Sequence, residues 1–230
     1  MDWTAFVLSL KLAAWSCAIL LPLGLLLSRA LAFGTVRGKS LVEGLVAVPL
    51  VLPPTVLGYY LLVSFGGASP LGRAWTTLFG HGLVFSFEGL LIASVLVNLP
   101  FAVQPMQRAF EALPRDVREA AWVSGLSPWR AFWRVELPLA WPGLLSAFAL
   151  TFAHTMGEFG VVLMVGGGIP GETKAIALAI YDRTQAFDQA SAGTMATVLL
   201  AFSVAAIRSE GKNKPKAARF AATGARPPPR

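Results

Sequence analysis

Residues 119–138 read EAAWVSGLSPWRAFWRVELP, a polar, bent stretch set between apolar ones long enough to cross a bilayer. Just before it, Pro114 suits the first turn of a helix, where a missing N–H costs nothing, and Arg115 to Val123 can continue that helix. Gly125 supplies the left-handed residue that ends a helix. Ser127-Pro128 is an N-cap followed by proline at the first helical position, so a second short helix starts at once. On it Trp129, Phe132 and Trp133 share one face, while Arg130 and Arg134 lie four apart on another. Pro138 disfavours helical geometry at Leu137 and is expected to end this helix. Two readings are open. One is an amphipathic loop lying on a membrane surface. The other is a helix–turn–helix that transmits force between membrane helices and a water-soluble partner.

The rest of the chain is membrane-like. Hydrophobic residues make up 55% and charged residues only 13%, which selects a polytopic all-α helical bundle over a soluble domain. Five spans are expected, at about 8–31, 42–65, 83–106, 140–165 and 190–207, each near or above the roughly 18–20 residues that cross the hydrocarbon. The last is the shortest. The first starts with Asp2 rather than a basic residue and outruns a signal core, so it reads as a retained span. Lys11 then lies one or two turns inside and can snorkel to water. Cys17 is the only cysteine, so no disulfide forms within the chain.

Lysine and arginine set the orientation. Arg29, Arg37 and Lys39 fall between spans one and two, and Arg108, Arg115, Arg118, Arg130 and Arg134 in or beside the polar loop. Arg208, Lys212, Lys214, Lys216, Arg219, Arg226 and Arg230 fill the tail. The opposite loops carry only Arg73, Lys174 and Arg183. The basic side is expected to be cytoplasmic, with the N-terminus outside and the C-terminus inside. The net charge of +7 is absorbed by this asymmetry, and no nucleic-acid partner is expected.

Polar and helix-breaking residues inside the spans mark candidates for a path. Pro49, Pro53 and Pro54, with Thr55, interrupt span two, and each interior proline frees a carbonyl that must face a cavity or a neighbour. Asn98 and Pro100, then Gln104 and Pro105, interrupt span three. In span four, Thr151, His154, Thr155 and Glu158 recur at three- and four-residue steps and form one stripe. An ionised Glu158 at mid-membrane would cost about 3 kcal/mol or more, so it needs a donor, a cavity or the interface. It reads as a hydrogen-bond anchor or a neighbour of a gate. His154 and Glu158 have no second histidine nearby, so no metal site is expected. Gly166-Gly167-Gly168 lacks a following Gly-Lys-Ser/Thr, so it is no nucleotide loop. Residues 172–187 can form an amphipathic helix at the outer interface, with Asp188 as N-cap of span five.

Glu119-Ala120-Ala121, Gly125, Val135 and Leu137-Pro138 resemble the EAA motif of binding-protein-dependent ABC importer permeases, with Val135 where isoleucine is usual. The resemblance covers roughly residues 5–207. Gly157-Glu158-Phe159-Gly160 is an element shared with sulfate permeases. Gly168-Ile169-Pro170-Gly171 and Ile180-Tyr181-Asp182 are more similar to the molybdate branch. Gly168 stands where that branch usually has asparagine, and Glu172 where lysine is common, so sulfate, thiosulfate and tungstate stay open as substrates. The resemblance implies a type I importer permease whose helices at about 114–138 dock on a cytoplasmic ABC ATPase homodimer. It also implies a periplasmic molybdate-binding protein and a second copy of this chain around one alternating-access path. ATP and magnesium would be used by the ATPase, with no cofactor bound here and no catalytic residue. An aspartate at Gly125 is expected to uncouple hydrolysis from uptake by clashing at the turn.

Residues 5–207 are expected to form the transmembrane domain. Residues 208–230, rich in Gly, Pro and Lys, read as a basic, disordered tail. An intramembrane enzyme would need more than His154 and Glu158. A membrane scaffold would not need broken, polar-striped spans.

Overall fold

Asp2 starts the first helix, its carboxylate accepting the Ala5 N–H at 3.0 Å. In the computed structural model, which describes residues 1–34 and 38–212, this is α1 (Trp3–Phe33). There follow α2 (Lys39–Val51), α3 (Pro54–Phe65), α4 (Pro70–Phe79) and α5 (Phe87–Glu111). Then come α6 (Arg115–Val123), α7 (Pro128–Ala131), a π turn (Phe132–Glu136) and α8 (Leu137–Gly157). Last are α9 (Gly160–Gly166), α10 (Ile176–Gln185) and α11 (Gln189–Lys212). The described residues contain no strand, as an all-α reading requires.

Helices α1, α5 and α8 pack against one another at the centre. Small polar groups let them approach: Ser16 Oγ meets Ser94 Oγ at 2.9 Å, and the Ser28 hydroxyl donates to the Val103 carbonyl at 2.9 Å. Around this trio, α10 and α11 cover Cys17, Phe152 and Met156 on one side, while α3 and α9 pack with α5 through Phe65, Val97 and Val161.

The spans differ from expectation in three places. Residues 42–65 divide at the expected proline break into two helices, α2 and α3, bent by 109° relative to each other rather than continuing in line. Pro53 and Pro54 both lack an N–H, and Pro54 forces Pro53 into extended geometry (ψ 136°). The span placed at 140–165 instead begins at Pro128 and stops at Gly157. Pro138 does not end the second helix. Leu137 is helical, and its N–H bonds the Phe132 carbonyl five residues back. The wider π turn gives the proline ring room where a four-residue turn would clash. Glu158 then leaves helical geometry (ψ 126°) and separates α9 from α8.

Trp3–Phe33, Phe87–Glu111 and Pro128–Gly157 are each long and apolar enough to cross a bilayer. The α2–α3 pair reaches that length and hydropathy only when its two bent helices are taken together, and the apolar stretch Gln189–Val204 of α11 is shorter. The short helix expected at 172–187 is α10, and Asp188 caps α11 by accepting the Ser191 N–H at 3.1 Å. Helix α11 runs on to Lys212, and most of the tail, 213–230, lies outside the described residues, as does Arg37.

Candidate coupling and translocation sites

The turn between the two helices forms as its sequence dictates. Gly125 has φ +77°, its N–H reaches the Trp122 carbonyl at 2.9 Å, and the Leu126 N–H reaches the Ala121 carbonyl at 3.1 Å. Ser127 Oγ accepts the Arg130 N–H at 3.4 Å and starts α7. Trp129, Phe132 and Trp133 form one aromatic cluster with centroid separations of 5.0–5.8 Å. Glu119 and Ala120 are exposed, Ala121 is buried, Val135 and Leu137 are half-buried, and Pro138 is exposed. Trp122, Val123, Trp129 and Trp133 present apolar surface outward, with Val123 90% exposed.

At Gly125 the expected clash is absent, because an added Cβ would meet nothing within 4 Å in this chain. What constrains the position is its left-handed backbone, which L side chains adopt only under strain.

Under this surface lies a residue that the motif reading passed over. Glu136, 1% exposed, receives Arg29 Nε at 2.6 Å and Arg29 Nη2 at 3.3 Å, and Arg118 Nε at 3.2 Å. The Arg118 guanidinium also lies 3.5 Å from the Phe33 ring centroid, and that of Arg29 lies 5.3 Å from the Phe132 centroid. By sequence, both arginines count only as topological charges. A signal was present: Glu136 is the single acidic residue between Glu119 and Glu158, set among cations at a membrane boundary. A second ionic cluster at the same end joins Lys39 to Glu43 (3.6 Å) and Glu111 (3.5 Å), with Gln107 donating to both carboxylates. It borders an open cleft of about 460 Å³ that Gln104 and Arg108 also line.

The path candidates fall into two groups. Pro53, Pro54 and Thr55 are exposed at the α2–α3 bend. Asn98, Pro100, Thr151, Thr155 and Glu158 are buried between helices. Asn98 links two of them: its Nδ2 donates to the Ser94 carbonyl at 2.8 Å, and its Oδ1 stands 2.9 Å from His154 Nδ1. His154 stacks on Phe101 with centroids 4.2 Å apart. Thr155 donates to the Thr151 carbonyl at 2.7 Å, whereas Thr151 Oγ1 has no partner among the described residues. Glu158 accepts the Val161 N–H at 3.1 Å, so it caps α9 across the break. The two broken regions touch, since a Cβ on Gly160 would lie 2.8 Å from Pro54 Cβ. Lys11 sits toward the opposite end, its Nζ 4.3 Å from the Phe87 centroid.

Residues 21–209 match the family of binding-protein-dependent transport system inner membrane components. The molybdenum transport system permease protein ModB of Azotobacter vinelandii is 46% identical over 203 residues, 88% of this chain and 89% of that one. ModB of Escherichia coli K12 is 36% identical over 184 residues, 80% of each chain. In fold, the chain is similar to a bacterial ABC transporter that imports the acidic polysaccharide alginate (TM-score 0.73, 16% identity, 92% of this chain and 79% of that one).

Proposed function

The chain belongs to the family of binding-protein-dependent transport system inner membrane components, and on that premise we propose that it is the permease subunit of an ATP-driven molybdate importer. The observation that carries this reading is the exposed turn at Gly125, flanked by Trp122, Val123 and Trp129, which no other described part of the chain covers. Such a surface is matched to a groove on a water-soluble partner. The partner is a cytoplasmic ABC ATPase homodimer that uses ATP and magnesium. The chain itself is a transport subunit, not an enzyme, and binds no cofactor. A periplasmic molybdate-binding protein delivers substrate to the opposite end, where the N-terminus lies.

The route of force rests on the geometry. Because Pro138 does not break it, Pro128–Gly157 is one rod of 30 residues. At 1.5 Å per residue it spans about 45 Å. Movement of the α6–α7 turn is therefore delivered to the far end, at Glu158. There Gly160 of α9 packs on Pro54, so the bend at Pro53, Pro54 and Thr55 moves with it. That bend exposes irregular backbone at membrane depth, which is tolerated beside protein or a water-filled cavity. A second copy of this chain supplies the other wall, and the path runs between the two bends. Asn98, Pro100, Thr151, Thr155 and Glu158 join it as the helices shift between inward- and outward-open states. The residues Glu119, Ala120, Ala121, Gly125, Val135, Leu137 and Pro138 form the coupling element.

The test is reconstitution of the chain with its ATPase and binding protein in proteoliposomes, reading ATP-dependent molybdate uptake against sulfate and tungstate. Uptake that resists excess sulfate supports the proposal. Uptake abolished by sulfate moves the chain to the sulfate branch, and uptake indifferent to ATP overturns it.

A further inference from the structure

The helix that bears Glu119 is held to the membrane bundle by little apolar packing. Of the nine residues of α6, only Ala121 is buried. What ties α6 down is Arg118, which reaches Glu136 on the π turn at 3.2 Å and lies over Phe33 of α1 at 3.5 Å. Glu136 in turn binds Arg29 of α1 through both its oxygens. Three elements thus meet at one carboxylate: the outward-facing helix, the first span and the base of the long rod. We propose that Glu136 is the positioning residue that couples α6 to the membrane helices, a role that rests on the importer reading above.

An ionic joint suits this position better than an apolar one would. Buried ion pairs add little net stability over apolar residues of the same size, but they fix direction and register. Arg29 grips Glu136 through two nitrogens, and Arg118 reaches the same carboxylate through Nε while its planar guanidinium lies over Phe33, so α6 cannot slide along α1 without breaking these contacts. The π turn serves the same end. One extra residue in the turn shifts the register of the helix that follows by about 100°, and Glu136 closes this turn as a buried side chain. Arg29 and Arg118 keep side-chain exposures of 31% and 18%, so water can reach them if the joint opens.

The test uses the full complex in proteoliposomes and reads molybdate uptake per ATP hydrolysed, normalised to assembled complex. Glu136→Gln is expected to leave the ATPase bound and hydrolysing while uptake per ATP falls about fivefold or more, the lower range of site-to-site coupling. Arg118→Lys keeps the charge without the fork and is expected to fall between wild type and Arg118→Gln. An unchanged uptake-to-ATP ratio in Glu136→Gln overturns the proposal, as does a loss of assembly with an unchanged ratio in what remains. If Glu136→Gln does not accumulate, Arg118→Gln decides by the same ratio. The unaltered complex separates the two readings: ATP-dependent uptake there with an unchanged mutant ratio removes only the joint, and no such uptake removes the importer reading and the joint together.

Discussion

Glu136 and Glu158 are the buried carboxylates among the described residues, one near the base of the long rod and one just past its far end, and they are held in opposite ways. Glu136 is neutralised by two guanidiniums brought from 107 and 18 residues away. Glu158 is satisfied close by in sequence: it accepts the Val161 N–H three residues on and stands 3.7 Å from His154 Nε2, four residues back. The first joins separate elements. The second bridges a break within one segment, where the N-terminus of α9 favours a negative charge. A carboxylate buried in a membrane protein therefore says little by itself. What matters is whether its partners are local or distant.

This contrast can be broken by substitution. The largest effect is expected from Glu136→Ala, which strands two arginines and should cost about 3 kcal/mol, the low end for an opened buried pair because both arginines keep some water. The thermal midpoint in detergent measures it, and a loss no greater than that of Glu158→Ala would erase the distinction. Next comes Gly160→Ala, whose Cβ would enter the rigid Pro54 ring at 2.8 Å, an overpacking expected to cost about 2 kcal/mol on the same scale. Glu158→Ala removes a cap and should cost about 1 kcal/mol. Glu158→Gln keeps an acceptor oxygen for the Val161 N–H and should stay near wild type. A Gln variant as damaged as the Ala one would mean that Glu158 needs its charge, as Glu136 does.

The smallest effect belongs to a half-buried cap. Hydrogen bonds from Ser191, side chain first and backbone second, hold the Asp188 carboxyl below its ordinary value. A depressed folded value means the stabilisation is present above the unfolded value near 3.9 and is lost as pH falls through the folded one. Asn caps as well but does not titrate. The midpoint difference between wild type and Asp188→Asn should thus shrink from pH 7 to pH 3, and a constant difference would show that the charge contributes nothing.

Much of the coupling element was legible in residue order. Gly125, Ser127 and Pro128 act through their own backbone and side chains, so their turn and cap needed no tertiary information. The Pro53-Pro54 break was equally local, although not its 109° angle, which depends on how α3 packs against α9. Pro138 misled because its usual effect assumes a four-residue turn, and the chain adopted a π turn instead. The Thr151–Glu158 stripe was visible as a periodic pattern. Its burial against α5, through His154 and Asn98, was not.

The sequence by itself determined an all-helical membrane chain, the presence of its apolar segments, its outward-facing two-helix turn and the family it belongs to. These rest on hydropathy and on residues whose conformational limits travel with them. Only the tertiary structure decided where the long rod begins and ends, which polar residues are buried, and that Arg29, Arg118 and Glu136 meet. Those outcomes depend on side chains far apart in the chain, and no local preference specifies which distant charge a buried carboxylate will find.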